Sequence, residues 1–570
     1  MDAAAQYERR WIGLGVLCLS LLVVGLDNTI LNVALPKLAD ELSATTSQLQ
    51  WIVDGYTLVF AGLLLTTGSL GDRYGRRTAL SAGLLIFVGG SVASGLATSA
   101  QTLIVTRSIM GIGGALIMPA TLSLLTNLFT DPKERAKAIG VWAGVSGIGV
   151  AIGPMLGGWL LEHFSWGSVF FVNVPVVAVA LPAGYFLLPN SKAEDSPKLD
   201  PLGAVLSIVG LVSLVWAIIE APAKGWGSTE VLAALAIGIG TLAVFIWWQR
   251  TTDHPMLDVR FFQNPRFSAA NLAVTLTFFA MFGSMFVLTQ FMQFVLGYTP
   301  LQAGVRSVPL ALMLMIVAPQ STKVAHRFGT KLVVAGGLGV VALGLAVAST
   351  VTPELGYGRV LPAQLLLGIG IALAMAPATD SIMGSLPREK AGVGSAMNDT
   401  TRQVGGALGV AVIGSVFSSQ YVPAITSKLG GLGLPTVALD ASKDSIGGAM
   451  AVAQRIGGDP SVVDTAVGHQ VADAARDAFA ASMGRSLLVA AGFALVGALV
   501  ALAFLPARAA DDGDPAPHLE VDEDDELTAF AATPELGGAE AVTARQEALD
   551  EAEHGDHERG DRVLEPTPVD

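Results

Sequence analysis

Long apolar runs separated by short polar connections repeat along the whole chain. A helix needs about 20 apolar residues to cross the hydrocarbon core of a bilayer. On that measure spans are predicted near 12–34, 51–70, 79–99, 102–127, 138–161, 168–188, 203–220, 230–249, 268–296, 302–322, 332–351, 361–384, 400–421 and 486–506. The connections alternate in basic content. One set carries Arg73, Arg76 and Arg77; Lys133, Arg135 and Lys137; Lys192 and Lys198; Arg250, Arg260 and Arg266; Lys323, Arg327 and Lys331; and Arg388 and Lys390. The short connections of the other set are nearly free of Lys and Arg. The positive-inside rule therefore places both termini in the cytoplasm, as an even number of spans requires. The prediction is an all-α polytopic membrane protein with 14 transmembrane helices in the cell (cytoplasmic) membrane.

Two segments fall outside this pattern. Residues 422–485 hold two stretches with helical spacing of small apolar residues, broken at "GGDP", which predicts a helical hairpin on the outer face. Residues 507–570 contain "EVDEDDEL" and predict a disordered cytoplasmic tail.

Composition supports the membrane reading: 52% of the 570 residues are hydrophobic, 14% are charged and the mean hydropathy is +0.59. The net charge of -14 belongs to the tail, where 20 acids face 4 bases; the rest of the chain holds 27 acids and 29 bases. Cys18 is the single cysteine, which excludes an intrachain disulfide and a multi-cysteine metal site. Three of the seven histidines (His518, His554, His557) lie in the tail and the rest in predicted connections, so no histidine relay within the membrane is expected. The first apolar run, Trp11 to Leu35, is too long for a signal-peptide core and reads as a retained span. No phosphate-binding G-x-x-x-x-G-K-[ST] loop occurs, so ATP is not an evident energy source, and no cofactor is expected.

The chain repeats internally. "RYGRR" at 73–77 matches "RFGTK" at 327–331, and "GIGGALIMPAT" at 111–121 matches "GIGIALAMAPAT" at 368–379, with nearly one offset. The repeat divides the chain into a six-span half (1–190), two inserted spans with linkers (191–265), and a second six-span half (266–506), followed by the tail. Parallel six-span halves are the architecture of the major facilitator fold, with a substrate cavity between them at the membrane midplane.

Several motifs resemble that superfamily. "GSLGDRYGRRTAL" is similar to its loop motif and contributes Gly68, Gly71, Asp72, Arg73, Gly75, Arg76 and Arg77. Asp72 is suited to capping a helix start, and in the family the cluster latches the two halves in the outward-open state. "GVAIGPMLGG" carries Gly149, Gly153, Pro154, Gly157 and Gly158, small residues that let helices approach and a proline that frees a bend. It resembles the antiporter motif that marks exporters. Arg107 in span 4 costs roughly 2.5–3.5 kcal/mol to insert, so it requires a partner or water. By resemblance it serves proton coupling; by its residues alone it equally fits a fixed ion pair between spans 1 and 4.

"LDNTILNVALP" resembles the first-span signature of fourteen-span drug:proton antiporters, and places Asp27, Asn28 and Asn32 within that span. "LQWIVDGYTL" with Asp54, "APATDSIMGSLP" with Asp380, and "SWGSVFFVNVP" narrow the resemblance to the quaternary-ammonium-compound efflux subgroup, which exports cationic biocides and dyes. A carboxylate in water titrates near ~3.9, so exchange at neutral pH requires a desolvated one. Asp27, Asp54 and Asp380, with Arg107, are the proton-coupling and substrate candidates. Each also has a structural reading: Asp27 as a partner of Arg107, Asp54 as a wet interfacial acid, and Asp380 as a cap near Arg388 and Lys390.

Organic cations also need aromatic walls. Trp51 and Tyr56 flank Asp54, while Phe278, Phe282, Phe286 and Gln290 recur at steps of four, with Met285 close to that face. Core packing produces the same pattern. The resemblance implies a proton-coupled antiporter that exports lipophilic cationic drugs, dyes or biocides by alternating access. Its partners are then organic cations, protons and the lipid bilayer, without nucleic acid; a monomer is plausible. Export of one dedicated antibiotic or metabolite is the alternative. An uptake symporter or a non-transporting sensor fits less well, and no nucleophile–base pair or metal cluster suggests an enzyme.

Overall fold

The computed structural model describes residues 3–129, 131–192, 199–386, 391–458 and 465–506. The acidic tail, Lys198, Arg388, Lys390 and the Asp459–Pro460 part of the "GGDP" break lie outside them. Among the described residues the chain is helical nearly throughout. The first half comprises α1 (Ala3–Glu41), α2 (Thr46–Tyr74), α3 (Arg76–Gly95), α4 (Ala100–Leu128), α5 (Pro132–His163), the short α6 (Ser168–Phe171) and α7 (Asn173–Leu187). Two inserted helices follow, α8 (Pro201–Lys224) and α9 (Thr229–Thr251). The second half comprises α10 (Pro265–Gln290), α11 (Pro300–Phe328), α12 (Thr330–Ser349), α13 (Tyr357–Met383), α14 (Ala391–Leu429), α15 (Thr436–Asp444), α16 (Ile446–Gly458) and α17 (Thr465–Phe504). Among the described residues, 13 helices are long and apolar enough to cross a membrane. The fifth predicted span lies within α5, a helix of 32 residues.

The internal repeat is visible in the helix termini. Thr45 caps α2 and Thr299 caps α11, each in a reciprocal box with a glutamine at N3, Gln48 or Gln302. Both helices are 29 residues long, and both end at a glycine with positive φ, Gly75 (115°) and Gly329 (91°). That backbone region is open to glycine and strained for other residues. A helix of 20 residues follows in each half, α3 or α12.

Within the halves, α2 and α3 pack on α4, α1 on α5, α12 on α13 and α17, and α10 on α14. The inserted α8 lies along both α2 and α14. Leu58 of α2, Val215 and Ile219 of α8, and Ala407 and Ala411 of α14 form one apolar cluster across that seam.

The predicted outer hairpin takes a different form. Its first arm is two helices, α15 and α16, broken at Ser445, whose backbone is extended and whose hydroxyl accepts from the Gly448 N–H. The second arm is not a separate element, because α17 runs unbroken for 40 residues from it into the last span. This stretch contains no proline and many alanines, so nothing interrupts the helix.

The halves meet at the end of the bundle where α1 stops and α2 begins. There Gln50 donates to the carbonyls of Val410 and Ala411 (3.1 and 3.0 Å), Gln293 to that of Val33 (2.9 Å), and Thr46 to that of Asp444 (2.9 Å). The Leu301 N–H reaches Glu162 (3.3 Å). Beyond this seal a groove of about 610 Å³ is lined by Lys37, Asp40, Glu162 and Tyr298.

Candidate functional site: buried charge between paired helices

Asp27 and Arg107 form an ion pair from α1 to α4, and neither side chain reaches solvent. The Arg107 Nε donates to the Ile52 carbonyl (3.2 Å), and its guanidinium lies 4.5 Å from the Tyr56 ring centre and 6.0 Å from that of Phe170. A buried charge is tolerable when it is paired and hydrogen-bonded, and here anion, carbonyl and ring faces surround it. The structure thus brings Asp27, Arg107 and Tyr56 together. Asn32 is also buried, donating to the Asn28 carbonyl one turn earlier (3.1 Å), with its own Oδ1 unpartnered among the described residues.

Asp54 is wholly buried, and among the described residues neither carboxyl oxygen has a hydrogen-bond partner. The reading of Asp54 as a wet interfacial acid is therefore overturned. It lies one turn from Gln50 on α2, on the helix face that Gln50 presses against α14. Burying an unpaired ionised carboxylate is costly, which makes this position chemically unlike Asp27. Trp51 is half-buried beside the α8 cluster.

The loop motif holds the first half together here. Asp72 lies in the last turn of α2 rather than at a helix start, and pairs with Arg76 of α3 (2.8 Å). Arg77 donates to the carbonyls of Tyr185 and Leu188 (3.0 and 3.2 Å), and the Arg76 N–H to that of Ser191 (3.0 Å). Arg73 is exposed, over the ring of its neighbour Tyr74. Gly68 is half-buried near Pro119, and Gly71 is buried against Ala79. Gly75 abuts Asn190, leaving no room for a Cβ.

The glycines of α5 divide between two partners. Gly149, Gly153 and Gly157 face residues 25–30 of α1, and the Thr29 hydroxyl reaches the Gly149 carbonyl (3.3 Å). Gly158 and Pro154 instead face the second half, against Leu301 and Gly304 of α11. The stripe works by close approach.

In the second half, Phe278 and Phe282 stack with centroids 6.2 Å apart, and Met285 is half-buried on the same side. Phe286 and Gln290 are buried, and Gln290 donates back to the Phe286 carbonyl (3.0 Å). These two are core residues rather than walls in this arrangement. Asp380 is exposed near the end of α13, where its charge acts on Arg266, and the structure does not bring it to Asp27 or Asp54. Two charged residues of α14 went unrecognised in the sequence. Arg402 lies 3.6 Å from Asp399 and 5.5 Å from the Phe278 ring centre. Asp399 falls one residue outside the predicted span, so it reads as a loop acid. An arginine inside a predicted span was the signal to follow.

Residues 17–410 match the family described as Major Facilitator Superfamily. The chain belongs to that superfamily. Among its relatives, this major facilitator is 36% identical over 497 residues to the multidrug efflux pump LfrA of Mycolicibacterium smegmatis, covering 86% of this chain and 95% of that protein. It is 35% identical over 503 residues to the tetracenomycin C resistance and export protein of Streptomyces glaucescens, with 88% and 92% covered. It is 33% identical over 475 residues to the methyl viologen resistance protein SmvA of Salmonella typhimurium, with 83% and 93% covered. A bacterial homologue of the human lysosomal transporter Spinster, solved in an inward-facing, unoccupied conformation, aligns with TM-score 0.59. At 19% identity, covering 86% of this chain and 98% of that one, the likeness shows the fold. The chain is a membrane transporter and not an enzyme.

Proposed function

We propose that this drug exporter of the Major Facilitator Superfamily exchanges protons for lipophilic organic cations. The observation that carries the reading is the contrast between two buried acids of one half. Asp27 has a counter-ion in Arg107, whereas Asp54 has no donor among the described residues. An acid with no protein partner is suited to take a proton or a cation in turn, and cannot hold both. The basic connections favour cytoplasmic termini and fourteen spans in the cell membrane, so that the sealed end faces outward.

Parting of the halves would break the Gln50 bonds to α14 and uncover Asp54 to the outside. Protonation there, followed by resealing, would carry one proton inward. That gains roughly 2.3 kcal/mol per 100 mV of membrane potential, enough to drive export. The relative named for methyl viologen resistance favours cationic cargo. The relative named for tetracenomycin C export favours the second reading, a dedicated metabolite.

The test is ethidium transport in inverted vesicles with an imposed pH gradient. Export coupled to protons predicts ethidium uptake that collapses with the gradient and ethidium-driven proton release. Uptake indifferent to the gradient would remove the coupling. Absence of any ethidium effect would favour a dedicated exporter.

A further inference from the structure

Two arginines on helices of this transporter, Arg107 of α4 and Arg402 of α14, are held in opposite ways. Arg107 is buried, with a direct ion pair and a backbone bond. Arg402 is one-quarter exposed (26%), and its contacts are long: 3.6 Å to the Asp399 carboxylate and 3.4 Å to the Thr379 hydroxyl. Its Nε is buried with no partner among the described residues. A guanidinium offers five donors, and most of these have no short bond. Its guanidinium carbon instead lies 5.5 Å from the centre of the Phe278 ring, within cation–π range.

That ring belongs to a prepared surface. Phe278 and Phe282 are stacked and half-buried, and Gly406 of α14 gives Phe282 its room, since a Cβ there would come within 3.0 Å of the ring. Asp399 is half-buried, 3.6 Å from the guanidinium that lies over the Phe278 ring. A carboxylate and a ring face that one guanidinium reaches together are what a flat organic cation requires. Arg402 is the charge now resting there.

We propose that Arg402 is a built-in cation, occupying the Phe278 ring and Asp399 when no substrate is bound and leaving both when an organic cation arrives. This makes Asp399, Phe278 and Phe282 the cation subsite of the second half, with Arg402 as a positioning residue that sets its affinity. The inference rests on the reading of the cargo as organic cations.

The test is ethidium binding to the purified full-length protein in detergent, followed by fluorescence, with Nile red as a neutral probe. Removing the competitor in Arg402→Gln should tighten ethidium binding about fivefold, while Nile red is unaffected. Asp399→Asn should weaken ethidium about fivefold or more, and the double variant should bind as weakly as Asp399→Asn. Arg402→Lys, which restores a tethered cation, should fall back toward the parent. If Arg402→Gln binds ethidium no tighter than the parent, or alters Nile red equally, the inference is wrong. Should that variant aggregate, Phe278→Leu decides, because parent-like ethidium binding there overturns it. A parent protein that binds no ethidium overturns the cation reading itself, and this inference with it.

Discussion

Arg107 of α4 donates to Asp27 of α1 at a point where neither side chain reaches solvent. Removing one partner of such a pair leaves a bare buried charge, at a cost of about 3–5 kcal/mol. Asp27→Asn is therefore expected to lower the unfolding temperature in detergent substantially. Adding Arg107→Gln should recover much of the loss, because the orphaned charge is then gone. A single variant as stable as the parent would show that the pair carries no such coupling. The same cycle read in transport separates the roles: recovery of stability without recovery of export makes Asp27 more than a counter-ion.

Asp54 predicts the reverse pattern. Both its oxygens are buried without a donor among the described residues, so the isosteric Asp54→Asn breaks no bond found there. Stability should equal the parent's or rise, because a buried carboxylate without a partner is costly. Ethidium-driven proton release should vanish if this residue carries the proton. A destabilised protein with intact proton release would assign Asp54 to structure.

Much of this arrangement was legible beforehand, for physical reasons. A guanidinium is expensive in lipid, so Arg107 required a partner or water, and Asp27 was the partner its structural reading offered. The matching offsets of the loop and helix motifs gave the two halves, whose equivalent caps at Thr45 and Thr299 then appear in three dimensions. Burial of Asp54 was not legible, because hydropathy measures how apolar a segment is and not which face meets another helix. The same limit hid the continuity of α17, whose first turns are too polar to score as a span. It also hid Asp399, which sits just outside an apolar run yet shares Arg402 with the Phe278 ring.

Asp380 separates exposure from function. It stands exposed near the C-terminal end of α13, with its charge acting on Arg266. Asp380→Asn should change stability by no more than about 0.5 kcal/mol. A large rise in the ethidium KM with unchanged stability would instead make it a substrate ligand.

The seal between the halves depends on two glycines that face each other's helices. A Cβ on Gly304 would run into the Pro154 carbonyl, and one on Gly158 would lie 2.6 Å from the Pro300 carbonyl. Both obstacles are backbone, so a side chain there cannot be accommodated by a rotamer change. Overpacking of this kind costs roughly 1–3 kcal/mol, and only when this end is closed. Gly304→Val should therefore shift the equilibrium about 5- to 150-fold toward the state open at this end. Disulfide formation between Glu162→Cys and Leu301→Cys in a Cys18→Ser background reports closure, because the Leu301 N–H bonds Glu162 only when the halves touch. Cross-linking should be rapid in the parent and suppressed in Gly304→Val, with drug export falling in step. Unimpaired cross-linking in Gly304→Val would show that α5 and α11 close without this contact.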